Sequence, residues 1–471
     1  MEANEEQDCG EDRRRGRDAH NVEKAGSTPA PATTMRLKEW QAPLANHQTN
    51  VLRTERVMLS ACHTGSGKTY LACQTIRDLG MKTLVVCPKI AISQWRSVVR
   101  GMGVEDLVVG VTNPEHLVAS KRDPYYSDET GWKLPDGMLL VFDEVHRGAS
   151  GPDSKTTKAL ARWCAKARPL SKVLAMSATP FETPEKLRAL GYLMGFHRFT
   201  SASWYDFLRA NGCRYVDIGW GRNRRRVLEF TKNRAEASAI MSGLRGRMGE
   251  RFMTIGPGEI PGFPDEVKEV VLVDLAKKDH DALVRAYAEM PERIQRMSED
   301  DMVKTLRLRQ QAEFCKAETM ADMAASYVED GNSVFVMVNF TDARKRVESR
   351  LSELGVEFAS IYGGQPKAER QGGIDAFQSN RVHVMVGMAA ACSVALSLHD
   401  ERHERPRVSI ISPGYSASEF SQGLGRIRRV GGTTAVQKIV MAAGSVEERV
   451  GRAIERKMNN LATLTDRDLM R

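Results

Sequence analysis

Cys62-His63-Thr64-Gly65-Ser66-Gly67-Lys68-Thr69 sets two glycines, a lysine and a hydroxyl at the spacing of a loop that cradles phosphate. Without side chains at Gly65 and Gly67, backbone N–H groups from Thr64 to Gly67, Ser66 included, can converge on phosphate oxygens. Lys68 can reach the β and γ phosphates, and the Thr69 hydroxyl can sit on Mg²⁺. The loop is expected to open a helix over Tyr70–Leu79, whose positive N-terminal end adds to the anion site. The general pattern asks for glycine at position 62, where this chain has cysteine. A nucleoside triphosphate with Mg²⁺ is the implied ligand, and a strand–loop–helix unit is the implied fold element.

Working outward, short β-rich runs (Thr83–Val86, Leu139–Phe142, Val173–Met176) alternate with helical stretches (Ala91–Arg100, Thr157–Ala167). That alternation predicts an α/β fold with crossover connections and a parallel sheet, whose ligands bind beyond the carboxyl ends of the strands. A second α/β series carries strands at Val270–Val273, Ser333–Val338, Val382–Val386 and Val408–Ile411. Between the series lies a stretch crowded with glycine and proline (Gly256, Pro257, Gly258, Pro261, Gly262, Pro264). It reads as a hinge. The expected organisation is a disordered tail over 1–34, a first lobe over 35–255, a hinge over 256–265 and a second lobe over 266–471.

A length of 471 residues suits two domains, and 41% hydrophobic residues suits a soluble globular chain. No apolar run is long enough to span a bilayer and no apolar signal segment opens the chain, so a soluble intracellular protein with no membrane partner is expected. Eight cysteines without a C-x-x-C pair read as thiols in a reducing compartment, with neither a zinc site nor a disulfide framework. The formal charge of +9 suits a polyanionic partner. The densest basic clusters are Arg222, Arg224, Arg225 and Arg226, and the pair Arg428 and Arg429.

The chemistry gathers at strand ends. Asp143-Glu144-Val145-His146 closes one hydrophobic run, where Asp143 would hold Mg²⁺ and Glu144 would orient and deprotonate the attacking water. Ser177-Ala178-Thr179-Pro180 closes the next, and its hydroxyls can bridge the metal site to moving parts. Late in the chain, Gln422, Arg426 and Arg429 fall at i, i+4 and i+7, which predicts one helical face. Guanidinium groups there would neutralise charge on a transferring phosphoryl group once the lobes close.

The order Gln41, ACHTGSGKT, LVVCPKIAISQW, DEVH, SATP and QGLGRIRR resembles superfamily-two helicases and translocases over residues 36–471. The second lobe resembles the Swi/Snf-type DNA translocases, particularly the smaller annealing-helicase branch. It does so through Leu306-Arg307-Leu308-Arg309-Gln310, Tyr362-Gly363-Gly364, Glu369-Arg370-Gln371, Ala376-Phe377-Gln378 and Val446-Glu447-Glu448-Arg449-Val450. The resemblance implies two RecA-like lobes, ATP with Mg²⁺ between them, and a nucleic acid lying across both, DNA in preference to RNA. It further implies that Gln41 reads the adenine edge and that Pro88, Lys89 and Thr112 touch the phosphate backbone. Asn339 and Ser393 take the family's nucleic-acid and coupling positions, and His146, Ser177 and Thr179 couple hydrolysis to movement. The chain has no room for the insertions of large chromatin remodellers, so a cytoplasmic prokaryotic, phage or viral motor is expected over a nuclear one.

One departure stands out: Ala389-Ala390-Ala391-Cys392-Ser393-Val394-Ala395 occupies a segment that is glycine-rich in the family. It motivates one alternative, a nucleic-acid-binding ATP switch with weak turnover. An RNA helicase is the other, because such motors contact mainly backbone.

Overall fold

The computed structural model describes residues 35–119, 123–148, 154–165, 168–218, 225–288, 299–392 and 396–465. The expected tail over 1–34, with Arg222, Arg224 and Ser393, lies outside the described residues.

The first lobe carries β1 (Val57–Ser60), β2 (Thr83–Val86), β3 (Val108–Thr112), a small antiparallel pair β4 (Tyr126–Ser127) and β5 (Gly131–Trp132), then β6 (Leu139–Asp143) and β7 (Lys172–Met176). A hairpin of β8 (Cys213–Ile218) and β9 (Arg225–Phe230) precedes β10 (Phe252–Met253). Six of these strands form one parallel sheet in the order β10-β1-β7-β6-β2-β3. The second lobe contains β11 (Glu266–Val273), β12 (Ser333–Val338), β13 (Phe358–Ile361), β14 (Val384–Met388), β15 (Arg407–Ile411) and β16 (Ala435–Ala442). They form a second parallel sheet, ordered β11-β16-β15-β12-β14-β13. These are the two parallel-sheet α/β lobes expected.

Both sheets are covered on both faces, so their central strands are continuous apolar runs that alternate sides. Leu59, Val86, Leu140, Phe142 and Ala175 face one core, where Leu160, Trp163 and Met241 arrive from helices Lys155–Trp163 and Arg234–Met248. Met58, Val85, Val141, Leu174 and Met176 face the other, against Leu52, Ile76 and Val98 from helices Ala42–Thr54, Lys68–Leu79 and Ile92–Gly101. In the second lobe Phe335, Met337 and Met385 point one way and Val334, Val336 and Val384 the other.

Parallel pairing puts every carboxyl end of a sheet on the same side, which gathers the loop after Ser60, Pro88, Asp143 and Ser177 along one rim. The chain passes from β10 to β11 through residues 254–265. It crosses again at its last helix, Val446–Thr465. That helix gives Val450, Ile454, Met458 and Leu461 to the second-lobe core and Leu464 to the first-lobe core.

Candidate ATP site and nucleic-acid groove

The phosphate loop takes the shape its glycines allow. Gly65 and Gly67 have φ of +83° and +77°, in the left-handed region that side chains disfavour. Gly67 caps the Lys68–Leu79 helix, which starts two residues before the expected Tyr70. Lys68 Nζ lies across its own loop and donates to the carbonyls of Cys62 (3.1 Å) and His63 (3.2 Å). Gln41 lies against Gly67: its Nε2 donates to Ser66 O at 2.9 Å and its Oε1 accepts from Lys38 N at 2.9 Å. The glutamine expected at an adenine edge is thus bonded to the phosphate loop itself.

Asp143 ends β6 with both carboxylate oxygens engaged. Trp95 Nε1 donates to Oδ2 at 2.9 Å, and the Glu144 N–H donates to Oδ1 at 3.0 Å. Burial pushes the Asp143 carboxyl up to about 6, the Glu144 charge adding to the rise against the Trp95 bond and the Lys68 charge. Glu144 has φ +51°, a costly backbone for a residue with a side chain and a common mark of functional turns. Its Oε2 accepts from Ser177 Oγ at 3.3 Å and lies 3.3 Å from His146 Nδ1.

The second lobe completes this seam. A cavity of about 220 Å³ is lined by Thr64, Gly65, Gly67, Lys68, Thr69, Trp95, Asp143 and Glu144 from one side and by Arg426 and Arg429 from the other. Gly425 lets the lobes approach, because a Cβ there would lie 2.5 Å from Thr64 Oγ1. The expected single helical face is corrected: the helix Ala417–Leu424 ends before the arginines. Gly425 N–H bonds back to Ser421 O at 3.1 Å and Arg426 N–H to Gly423 O at 3.1 Å, a tightened last turn after which Arg426–Arg429 continues as turn and irregular chain outside the helix. Both side chains are then held by one carbonyl, Leu396 O, at 2.9 Å from Arg426 Nη1 and 2.8 Å from Arg429 Nη2.

Burial pushes the Arg426 guanidinium down to about 9, with repulsion from Arg429 adding to it, and that of Arg429 down to about 10. Their Nε atoms, both amide atoms of Gln422 (1% exposed) and Ser66 Oγ are buried without a hydrogen-bond partner among the described residues. Buried donors without acceptors cost free energy, and an anion in the cavity would supply acceptors. The set fits a triphosphate, with Thr69 and Asp143 as oxygen donors for Mg²⁺.

Beside this cavity runs a groove of about 1000 Å³ between the lobes. Pro88, Lys89, His116, Arg147, Glu144 and His146 line it from the first lobe, and Tyr362, Gly363, Gly364, Arg370 and Ser418 from the second. Pro88 and Lys89, expected at the nucleic-acid backbone, both line this groove. Two other expectations are corrected. Thr112 is the buried last residue of β3. Asn339 donates through Nδ2 to Glu313 Oε2 (2.6 Å) and Ser412 O (3.1 Å), so its amide ties two strand ends to the helix Glu299–Glu329. A polar residue after a strand turns inward when a buried carboxylate such as Glu313 needs donors. Ala389–Cys392 forms a short helix after β14, and Arg370 Nη2 donates to Ala391 O at 2.9 Å.

Sequence reading missed Trp95, Ser418, Arg370 and the Leu396 carbonyl. For Ser418 a signal existed, since it lies four residues before Gln422 on the same helix. Trp95 stood in the quoted LVVCPKIAISQW segment, but nothing local tied it to Asp143.

Residues 34–182 match the family described as type III restriction enzyme, res subunit. The chain is 27% identical over 476 residues to "Putative ATP-dependent RNA helicase L364" of Acanthamoeba polyphaga mimivirus, covering 94% of this chain and 86% of that one. It is 27% identical over 187 residues, 36% of this chain and 41% of the relative, to "Putative helicase 055L" of Frog virus 3 (isolate Goorha). Among solved structures it matches the Sulfolobus solfataricus SWI2/SNF2 ATPase core in complex with dsDNA, at 17% identity and a TM-score of 0.37 over 92% of this chain and 95% of that one.

Proposed function

We propose that the chain is a helicase-type ATPase of superfamily two, a reading supported by its family match over residues 34–182 and by its 27% identical mimivirus relative, and that it couples MgATP hydrolysis to movement along nucleic acid, DNA in preference to RNA. The observation that carries the reading is the shared cavity, with Lys68, Asp143 and Glu144 on one wall and Arg426 and Arg429 on the other. Lys68 would exchange its loop carbonyls for phosphate oxygens, and Thr69 and Asp143 would hold Mg²⁺, which when bound would neutralise charge on the phosphates. Glu144 orients the attacking water and takes its proton as the oxygen adds to the γ-phosphorus and the bridging bond to ADP breaks. Arg426 and Arg429, with Gln422 behind them, stabilise the charge on the transferring phosphoryl group.

Because these groups belong to different lobes, hydrolysis requires closure, and residues 256–265 serve as the hinge. Nucleic acid in the adjoining groove contacts Pro88 and Lys89 through its phosphates, so binding weakens steeply with salt. The preference for DNA rests on the Swi/Snf-like stretches at 306–310, 425–429 and 446–450. RNA is the second reading, favoured by the printed name of the mimivirus relative.

ATP hydrolysis measured alone and with DNA and RNA of equal length tests both readings. Stimulation by DNA above RNA is expected, and the reverse order favours the second. No stimulation by either, with Lys68→Ala as active as the parent, contradicts the motor.

A further inference from the structure

Ser418, on the second lobe, touches the first lobe twice. Its Oγ lies 2.7 Å from His146 Nε2 and 2.9 Å from Thr179 Oγ1. On the far side of the imidazole, His146 Nδ1 lies 2.7 Å from Ser177 Oγ, which in turn donates to Glu144 Oε2 at 3.3 Å. Ser177 Oγ also accepts from Thr179 N–H at 3.0 Å.

The direction of this chain follows from its end. An ionised Glu144 only accepts, so Ser177 gives it its proton and accepts from His146 Nδ1–H. Burial pushes the His146 imidazolium down to about 3, so the ring is neutral and carries one N–H. With Nδ1 the donor, Nε2 is an acceptor. Ser418 must then donate to it, and Thr179 must donate to Ser418. Four side chains line up head to tail toward the Glu144 carboxylate that faces the ATP cavity, and the third from that carboxylate, Ser418, belongs to the other lobe.

We propose that Ser418 is a positioning residue that completes, on lobe closure, the hydrogen-bond chain orienting Glu144. The inference rests on the ATPase reading above. When the lobes part, Ser418 leaves with its helix and its hydroxyl no longer donates to His146 Nε2, so the tautomer that supports Ser177 loses that support. Ser418 and His146 also line the nucleic-acid groove, so a bound strand lies directly over the link.

The test uses the full chain, with Ser418→Ala and Ser418→Thr, at saturating nucleic acid. Ser418→Ala is expected to lower kcat about tenfold with the KM for MgATP within about twofold, because the phosphate loop is untouched. Ser418→Thr keeps the hydroxyl and is expected to recover most of the rate. Independently of turnover, ¹⁵N spectra of histidine-labelled protein with a non-hydrolysed ATP analogue should show His146 protonated at Nδ1 and bare at Nε2, the signal assigned by its loss in His146→Gln. Ser418→Ala should shift it toward Nε2–H. An unchanged kcat, a loss that threonine does not restore, or an Nε2–H tautomer in the parent overturns the proposal. Absence of turnover in the parent counts against the ATPase reading alone, since the tautomer still decides the role of Ser418.

Discussion

The two walls of the seam differ in how far their hydrogen bonding is complete. On the first-lobe wall Lys68, Asp143 and Gln41 have their polar ends committed to specific partners: loop carbonyls, Trp95 and the Glu144 N–H, and Ser66. On the second-lobe wall Gln422 and Arg426 are buried and Arg429 half-buried, and all three keep Nε or amide atoms without partners among the described residues. Apart from Ser66 Oγ, the first wall is organised before ligand arrives. The other holds desolvated guanidinium donors that an incoming anion can satisfy, so ATP binding belongs mainly to the first lobe, and rate to Glu144 together with the second-lobe arginines.

That contrast breaks most visibly at Arg429. Arg429→Ala should cost on the order of 10³ or more in hydrolysis while leaving equilibrium MgATP binding nearly intact. Rapid-quench turnover with a binding titration reads both, and equal losses in the two would erase the distinction between the walls. Glu144→Gln should lower kcat by about 10²–10⁴ and accumulate the ATP-bound closed form. A variant that hydrolyses normally removes Glu144 from the water.

The pH profile sharpens the first wall. Asp143 must be ionised to hold Mg²⁺, and its pKa stands at about 6, so MgATP affinity should fall up to about tenfold per unit as pH drops below that value. For the metal-free protein the sign is opposite. A carboxyl raised from 3.8 to about 6 favours the folded state at low pH, and that contribution is lost as pH rises through about 6. Asp143→Asn should therefore flatten the melting temperature over pH 4–7, and an unchanged slope would mean the carboxyl is not desolvated. Trp95→Phe keeps the packing but removes the bond to Oδ2, so the Mg²⁺ concentration for half-maximal rate should rise several-fold. A Mg²⁺ requirement equal to the parent's would show that Trp95 only fills space.

The comparison also explains what the sequence disclosed. Phosphate loop, Asp-Glu-Val-His and Ser-Ala-Thr each sit whole on one strand end, and the parallel sheet brings those ends together without further information. Trp95 and Asp143, or Ser418 and His146, are 48 and 272 residues apart, and only packing pairs them. Helix spacing misplaced the arginines because the helix stops at Leu424, and Gly425, where a Cβ would meet Thr64, follows it. Asn339 was misplaced for a related reason, since Glu313, 26 residues earlier, claims its amide from inside the lobe. Position after a strand told only that a polar group would be there.

Whether ATP is the missing partner of both walls is tested most directly by following hydrolysis and MgATP binding together in the parent, Lys68→Ala and Arg429→Ala at saturating nucleic acid. The account predicts that Lys68→Ala loses binding, whereas Arg429→Ala binds ATP and fails to hydrolyse it. Unimpaired turnover in Arg429→Ala, or full MgATP affinity in Lys68→Ala, would contradict it.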